Sequence, residues 1–261
     1  MLSKRKIADG QTEPEGVGIA LSRVDSMMNS MLEYVNATEY NAWITGGKTF
    51  RDDIYPAYKA TRKDTPKPEH LIACQEHMIT EWGAKVAIGV ETDDEIVMAH
   101  DPDKTVICSN DKDFRANAFG YHYNFTLPEE HRKIDYITPN EVDYNFMIQM
   151  LMGDRADNII GPFGFDAKVT TKKFIEANLL AGNDYEGIIA KAYQEYKDSR
   201  WQLLNYRLLR LLRSRDELVY INQEKETNQY PEWESDTEQG QEGEGNVQSD
   251  NGPSIIFGPA S

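Results

Sequence analysis

The chain has 261 residues, enough for one sizeable domain or for one domain with a smaller companion. It carries 44 acidic against 28 basic residues, a net charge of −16, which taken globally argues against a phosphate-backbone partner. The two cysteines, Cys74 and Cys108, show no framework spacing, which excludes a disulfide scaffold and points to a reducing, intracellular compartment.

The charge is unevenly placed. From Asn222 onward nine acids face Lys225 alone, so this stretch accounts for −8, and the body holds the other 35 acids and 27 bases. If seven body acids surround metal, the remainder is close to neutral, 28 against 27, and local basic patches could meet a phosphate backbone. Residues 222–261 are rich in Glu, Gln, Gly and Ser and poor in aliphatics, and are expected to form a disordered acidic tail. No apolar run approaches membrane-spanning length, and MLSKRKIADGQTEPEGVG lacks the apolar core of a signal peptide, so no membrane partner is expected.

In chain order, residues 19–34 place Ile19, Leu21, Val24, Met27, Met28, Met31 and Leu32 on one helical face. Asn41–Thr45 reads as a strand ending in Gly46-Gly47, residues 69–83 as a helix, and Lys85–Val90 as a strand. A helix over 92–100 and a strand over 105–109 follow, with further strands at 119–125 and 134–138. This alternation predicts an α/β domain over 1–138 with a largely parallel sheet. The pattern then turns helical, at 140–152, 167–179, 184–197 and 200–213, predicting a second, helical region over 139–221.

In open α/β sheets the ligand site lies beyond the C-terminal strand ends, where this sequence puts its acids. Glu91, Asp93 and Asp94 stand between a strand and a helix. One or two would serve as capping charges; three within four residues repel unless a cation holds them. Asp111 and Asp113 follow the next strand, and alone would read as a polar turn. Asp154 and Asp157, three apart in LMGDRADNIIGP, can share a helical face or a tight turn beside a helix end. Together these are hard oxygen ligands, which select Mg²⁺ or Mn²⁺ over zinc. His70 and His77 fit helix packing better than zinc ligation. Two other motifs fail: GGKT at 46–49 lacks the earlier glycine of a phosphate loop, Ala42 standing there, and DPDKTVICSNDK at 101–112 ends in Lys112 where a calcium loop needs Glu.

These sets, in this order, resemble the flap endonuclease and 5′→3′ exonuclease family, particularly its bacteriophage and polymerase-associated members. Glu91-Thr92-Asp93-Asp94 resembles the family's E-x-D-D, Asn110-Asp111-Lys112-Asp113 its G-D-K-D, and Gly153 through Gly161 its G-D-x-x-D-N-I-x-G. Upstream, Phe50-Arg51 and Tyr55-Pro56-Ala57-Tyr58-Lys59-Ala60-Thr61-Arg62 resemble F-R…Y-P-x-Y-K-x-N-R, so the likeness runs from about residue 43 to 220.

The resemblance implies a PIN-like three-layer α/β nuclease core followed by a helix–hairpin–helix region, with 161–168 as the hairpin. It implies a metal-dependent 5′-nuclease that hydrolyses DNA phosphodiesters in branched or 5′-ended duplexes using two Mg²⁺ or Mn²⁺ ions about 4 Å apart, and leaves open whether RNA–DNA primers are also substrates. Glu91, Asp93 and Asp111 would serve one ion, and Asp113, Asp154 and Asp157 the other, with Asp94 a ligand or a support. Lys59 and Arg62 would stabilise charge at the scissile phosphate. Arg51, Tyr58, Gly161, Gly164, Lys168, Lys172 and Lys173 would contact DNA, although Asp166 replaces a common family glycine. The enzyme is expected to be a monomer in the cytoplasm, or the host's if a phage encodes it.

The departures fall early. No apolar strand ending in Asp precedes the first helix, Asp9 in KIADG being the nearest substitute after a poor Lys-Arg-Lys approach, and Gly46-Gly47 stands where a second acid is usual. A shortened start is expected to expose a sheet edge and to remove one carboxylate from the first metal position. The alternatives are a DNA-binding member with impaired catalysis and, from another class, a metal-dependent phosphatase of small molecules.

Overall fold

The computed structural model describes residues 4–6, 12–62, 65–165, 167–227, 229–231 and 255–257. Asp9, Asp166 and most of the acidic tail lie outside them. The Lys-Arg-Lys stretch does form a strand: β1 (Lys4–Lys6) pairs antiparallel with β2 (Thr12–Pro14). Then come α1 (Val17–Val35), β3 (Tyr40–Ile44), α2 (Phe50–Ile54), α3 (Leu71–Thr80), β4 (Lys85–Val86) and α4 (Thr92–Ala99). The strands β5 (Val106–Cys108), β6 (Gly120–Tyr123) and β7 (Ile134–Ile137) complete the expected alternation.

Helix α5 (Pro139–Met152) starts at a reciprocal cap, Glu141 accepting from Thr138 N at 2.8 Å with Pro139 in the first turn. A tight hairpin, β8 (Gly153–Asp154) with β9 (Ile159–Ile160), leads to α6 (Lys168–Leu180), α7 (Tyr185–Tyr196), α8 (Ser199–Leu209) and α9 (Arg215–Glu226). The last element is β10 (Ile255–Phe257).

The main sheet runs β4-β3-β10-β5-β6-β7. Only β3/β4 and β5/β6 are parallel; β10 is antiparallel to both β3 and β5, and β7 to β6. The sheet is therefore mixed, which corrects the expectation of a largely parallel one. The expected open edge is not found at β3 or β5, each of which is paired on both sides. The tail boundary at 222 also needs correcting, because α9 runs through it to Glu226 and Ile255–Phe257 forms a strand.

Side-chain alternation along the strands defines three layers. Ala42 and Ile44 of β3, with Val106 and Cys108 of β5, pack against Met28, Met31 and Val35 of α1 and Met78 of α3. The intervening Trp43 and Ile107 face the other way, onto Ile96 and Val97 of α4. Ile19, expected on the buried face of α1, is half exposed. The largest core crosses the 138/139 boundary, joining Phe50, Tyr55 and Val90 to Met147, Ile188, Leu208 and Ile221, so the helical region shares its interior with the α/β part. Helix α8 stops at Leu209, short of the expected 213, because the carbonyls of Leu208 and Arg210 and the N–H of Leu212 bond to Arg51 and Asp94 instead.

Candidate functional site

Each acid set is fixed by local backbone chemistry. Glu91 is the N-cap of α4, where its N–H donates to Asp94 Oδ2 at 2.9 Å, leaving the Glu91 carboxylate for other partners. Beyond β5, Asp111 N donates to Ser109 Oγ at 3.0 Å, and Asp111 Oδ1 caps a short 3₁₀ turn by accepting from Asp113 N at 2.9 Å. The third set sits on the β8–β9 hairpin. Gly153 has φ +67 and an added Cβ would stand 2.1 Å from Ile159 O; at Gly161 it would stand 2.4 Å from Leu151 O. Only glycine allows so close a crossing. The loop then closes with Asn158 at φ +59 and Asp154 Oδ1 accepting from Ala156 N at 2.8 Å.

The first and third sets meet around Tyr58, Lys59 and Arg62, and the second joins them through Asp93 and Asp154. Lys59 Nζ lies 2.5 Å from Glu91 Oε1 and 4.0 Å from Asp157 Oδ2. The Tyr58 hydroxyl reaches Glu91 Oε2 at 3.1 Å and Asp157 Oδ2 at 3.2 Å. Arg62 Nη2 is 2.7 Å from Asp157 Oδ1, off hydrogen-bond alignment but an ion pair by distance, and Arg62 Nε donates to Ala156 O. Lys112 Nζ is 2.8 Å from Asp154 Oδ2. Asp113 Oδ1 accepts from Gln149 Nε2 at 2.8 Å. Gln149 was not singled out in the sequence; its one signal is its place on the α5 face that precedes the hairpin.

Six carboxylates (Glu91, Asp93, Asp111, Asp113, Asp154, Asp157) thus share four cations: Lys59, Arg62 and Lys112, with the buried Arg51 3.8 Å from Glu91. The excess shows in proton affinity. Burial, then Asp111 and Glu91, push Asp93 well above the usual carboxylate range. Burial, then Asp111 and Asp154, raise Asp113 to about 7. Burial also raises Asp157, against Lys59 and Arg62. Burial would raise Glu91 too, but Lys59 and Arg51 outweigh it and hold Glu91 down.

Three expectations need correction. Arg51 is fully buried and cannot contact DNA: its Nη1 and Nη2 bind Asp94 at 2.6 and 2.9 Å, and its Nε donates to Leu208 O at 2.9 Å. Asp94 is likewise fully buried, its oxygens taken by Arg51, Glu91 N and Leu212 N, so it supports the site and has no face for a metal. Tyr58, 2% exposed, braces the acids and is out of reach of a duplex. The side chains of Lys59 and Arg62 each keep 27% of their surface exposed, enough to meet a phosphate.

Among the residues expected to meet DNA, Gly161 is buried beneath the hairpin, and Gly164 has φ +81 in the turn, its N–H on Gly161 O at 3.1 Å. That turn is anchored by Phe163, whose ring packs on Phe174 and Tyr196. Lys168, Lys172 and Lys173 are exposed on the first two turns of α6. His70 and His77 join α3 to the chain ahead of α1 and to α1 itself, through Glu15 O and Asp25.

The donor set fits a hard divalent cation in chemistry and charge: oxygen throughout, with surplus negative charge in a low-dielectric setting. Its geometry is held differently. Among the described residues no three carboxylate, His or Cys side chains are gathered closely enough to enclose an ion, and Lys59 stands between Glu91 and Asp157. Among the described residues, also, no helix is long and apolar enough to cross a membrane.

No family model matches the chain, and no curated protein matches it. Among solved structures the T5 D15 protein, co-crystallised with metal ions, is similar over 75% of this chain and 86% of its own, at 18% identity and a TM-score of 0.47.

Proposed function

We propose that this chain is a divalent-metal-dependent hydrolase of DNA phosphodiester bonds, a 5′→3′ exonuclease or flap endonuclease acting on branched or 5′-ended duplexes. One observation carries the reading: acids from 91–93, 111–113 and 154–157, far apart in sequence, come close enough to raise one another's proton affinity, and the partly exposed Lys59 and Arg62 pair with Glu91 and Asp157 among them. Glu91, Asp93 and Asp111 would hold one ion, and Asp113, Asp154 and Asp157 the other. Bound Mg²⁺ or Mn²⁺ supplies Lewis-acid polarisation of the phosphate and a more acidic water.

The chain's own residues do the positioning. Lys59 and Arg62 draw a phosphate toward the acids and offset the charge that develops as water oxygen bonds to phosphorus and the ester P–O bond breaks. Tyr58 keeps Glu91 and Asp157 in register. The exposed Lys168, Lys172 and Lys173 hold the duplex backbone beside the 161–168 turn.

A DNA-binding protein without cleavage is the second reading. It is favoured by Lys59, Arg62 and Lys112 already pairing with Glu91, Asp157 and Asp154. The purified protein should be offered a forked duplex with a free 5′ end and a small phosphate ester, each with Mg²⁺ and with EDTA. Cleavage of the fork alone, abolished by EDTA, supports the nuclease. Salt-sensitive binding without cleavage supports the second reading, and turnover of the ester alone overturns both.

A further inference from the structure

The centre of the main sheet is closed by a segment far from it in sequence. Strands β3 and β5 run parallel to each other with a one-strand gap between them, and Ile255–Phe257 fills that gap antiparallel to both. Ile255 faces Ala42 and Cys108, Ile256 faces Asn41 and Ile107, and Phe257 faces Tyr40 and Val106. The neighbours are interior strands: Ala42, Trp43 and Ile44 are buried, as are all three residues of β5. Without β10, backbone N–H and C=O groups on both facing edges would be left unpaired inside the molecule.

The segment has the composition for this place. Between 232 and 254 the only apolar residues are Trp233 and Val247, whereas 255–257 is an Ile-Ile-Phe triplet with Pro253 before it and Gly258-Pro259 after it. β-Branched and aromatic residues favour strands, and proline outside the triplet leaves its ladder donors intact.

We infer that residues 255–257 are a donor strand delivered in cis, and that they hold the acidic site together. Two links join β10 to the acids. From β5 the chain continues through Ser109, whose N–H donates to Tyr123 O at 3.1 Å and whose Oγ accepts from Asp111 N; Asp111 in turn caps Asp113. On the sheet face, α4 packs against β10, and α4 carries Glu91 and Asp93 at its N-terminal end. The 23 residues from 232 to 254 span roughly 75 Å when extended, against a radius of gyration of about 17 Å for a body of this size. The same chain can therefore reach the slot from any point of its surface, and tethering favours it over a second copy at ordinary concentrations.

Hydrogen exchange on the full chain tests this without reference to cleavage, so it stands or falls separately from the nuclease reading. In the wild-type protein the amides of 255–257 should be protected at least ~10-fold relative to an unstructured peptide. Exchange at the unstructured rate would overturn the proposal. In full-length Ile256→Pro, which loses a ladder donor, segments 40–44 and 106–113 should exchange faster and Tm should fall by roughly 5–10 °C. Adding a synthetic peptide of residues 252–261 should restore protection. Unchanged exchange and Tm in Ile256→Pro would contradict the donor-strand role, and a wild-type dimer that this variant abolishes would contradict delivery in cis.

Discussion

Arg51 and Asp94 form a two-point ion pair at 2.6 and 2.9 Å with neither side chain exposed, and it locks α2, α4 and the turn after α8 to one another. Removing one partner of such a pair leaves a charge stranded in the interior. Asp94→Asn should lower unfolding stability by about 3–5 kcal/mol in urea titration. Arg51→Lys should also be costly, because an ammonium cannot reproduce the fork that meets Asp94 and the carbonyls of Leu208 and Arg210. A loss within experimental scatter for both would contradict the clamp.

Lys59 and Arg62 are expected to act on the phosphate more than on the fold. Lys59→Ala and Arg62→Ala should each reduce cleavage of a forked duplex by about 10²–10³-fold, in line with removal of one charge-stabilising donor. Their side chains are partly exposed, so Tm should move by only a few degrees. Single-turnover rates alongside thermal unfolding separate the two effects.

The β8–β9 hairpin has no room for a side chain at its base. Gly153→Ala should destabilise the protein by about 2–4 kcal/mol, since the new Cβ meets Ile159 O and the backbone sits at positive φ. The same change should displace Asp154, and cleavage should fall further than the stability loss explains. Gly164→Ala, where nothing lies within 4 Å of the added atom, should cost less, through its positive φ alone.

His122 gives the fold a pH dependence independent of the acids. Its Nε2 bonds Ala118 O at 2.9 Å, and burial, the largest influence, pushes it down from 6.5 to about 4. The unfolded chain therefore binds a proton between these values that the folded chain refuses, so stability is full above about 6.5 and declines as pH falls toward 4. The contribution is about 3 kcal/mol at most. His122→Gln should flatten part of the difference in urea midpoint between pH 7 and pH 5. An unaltered difference would assign that pH dependence elsewhere.

Much of this architecture is legible in the sequence. Hydrophobic patterns locate the strands and helices of the α/β part, and Asp154 and Asp157, three apart beside a helix end, leave a helical face and a tight turn both open, of which the hairpin is the turn. Long-range partnership is not legible. Arg51 sits in a basic-looking segment, and only Asp94, 43 residues later, together with carbonyls beyond residue 207, turns it into a buried clamp. Tyr58 reads as a surface aromatic until Glu91 and Asp157 close over its hydroxyl. The polar, acidic composition of residues 222–261, with nine acids, outweighs the three apolar residues at 255–257, so the strand is hidden within an apparent tail. The mixed character of the sheet follows from that same segment and from β7, which lies antiparallel to β6.

On the proposed function, the six carboxylates make a site for metal-dependent phosphodiester cleavage. Asp111→Asn addresses it most directly, because the amide oxygen can still cap Asp113 N while the charge is lost. Single-turnover cleavage of a 5′-ended forked duplex in Mg²⁺ should be readily measured for the wild-type protein and lower by at least ~10³-fold for Asp111→Asn at unchanged Tm. Equal rates for the two proteins, or no wild-type cleavage in either Mg²⁺ or Mn²⁺, would contradict it.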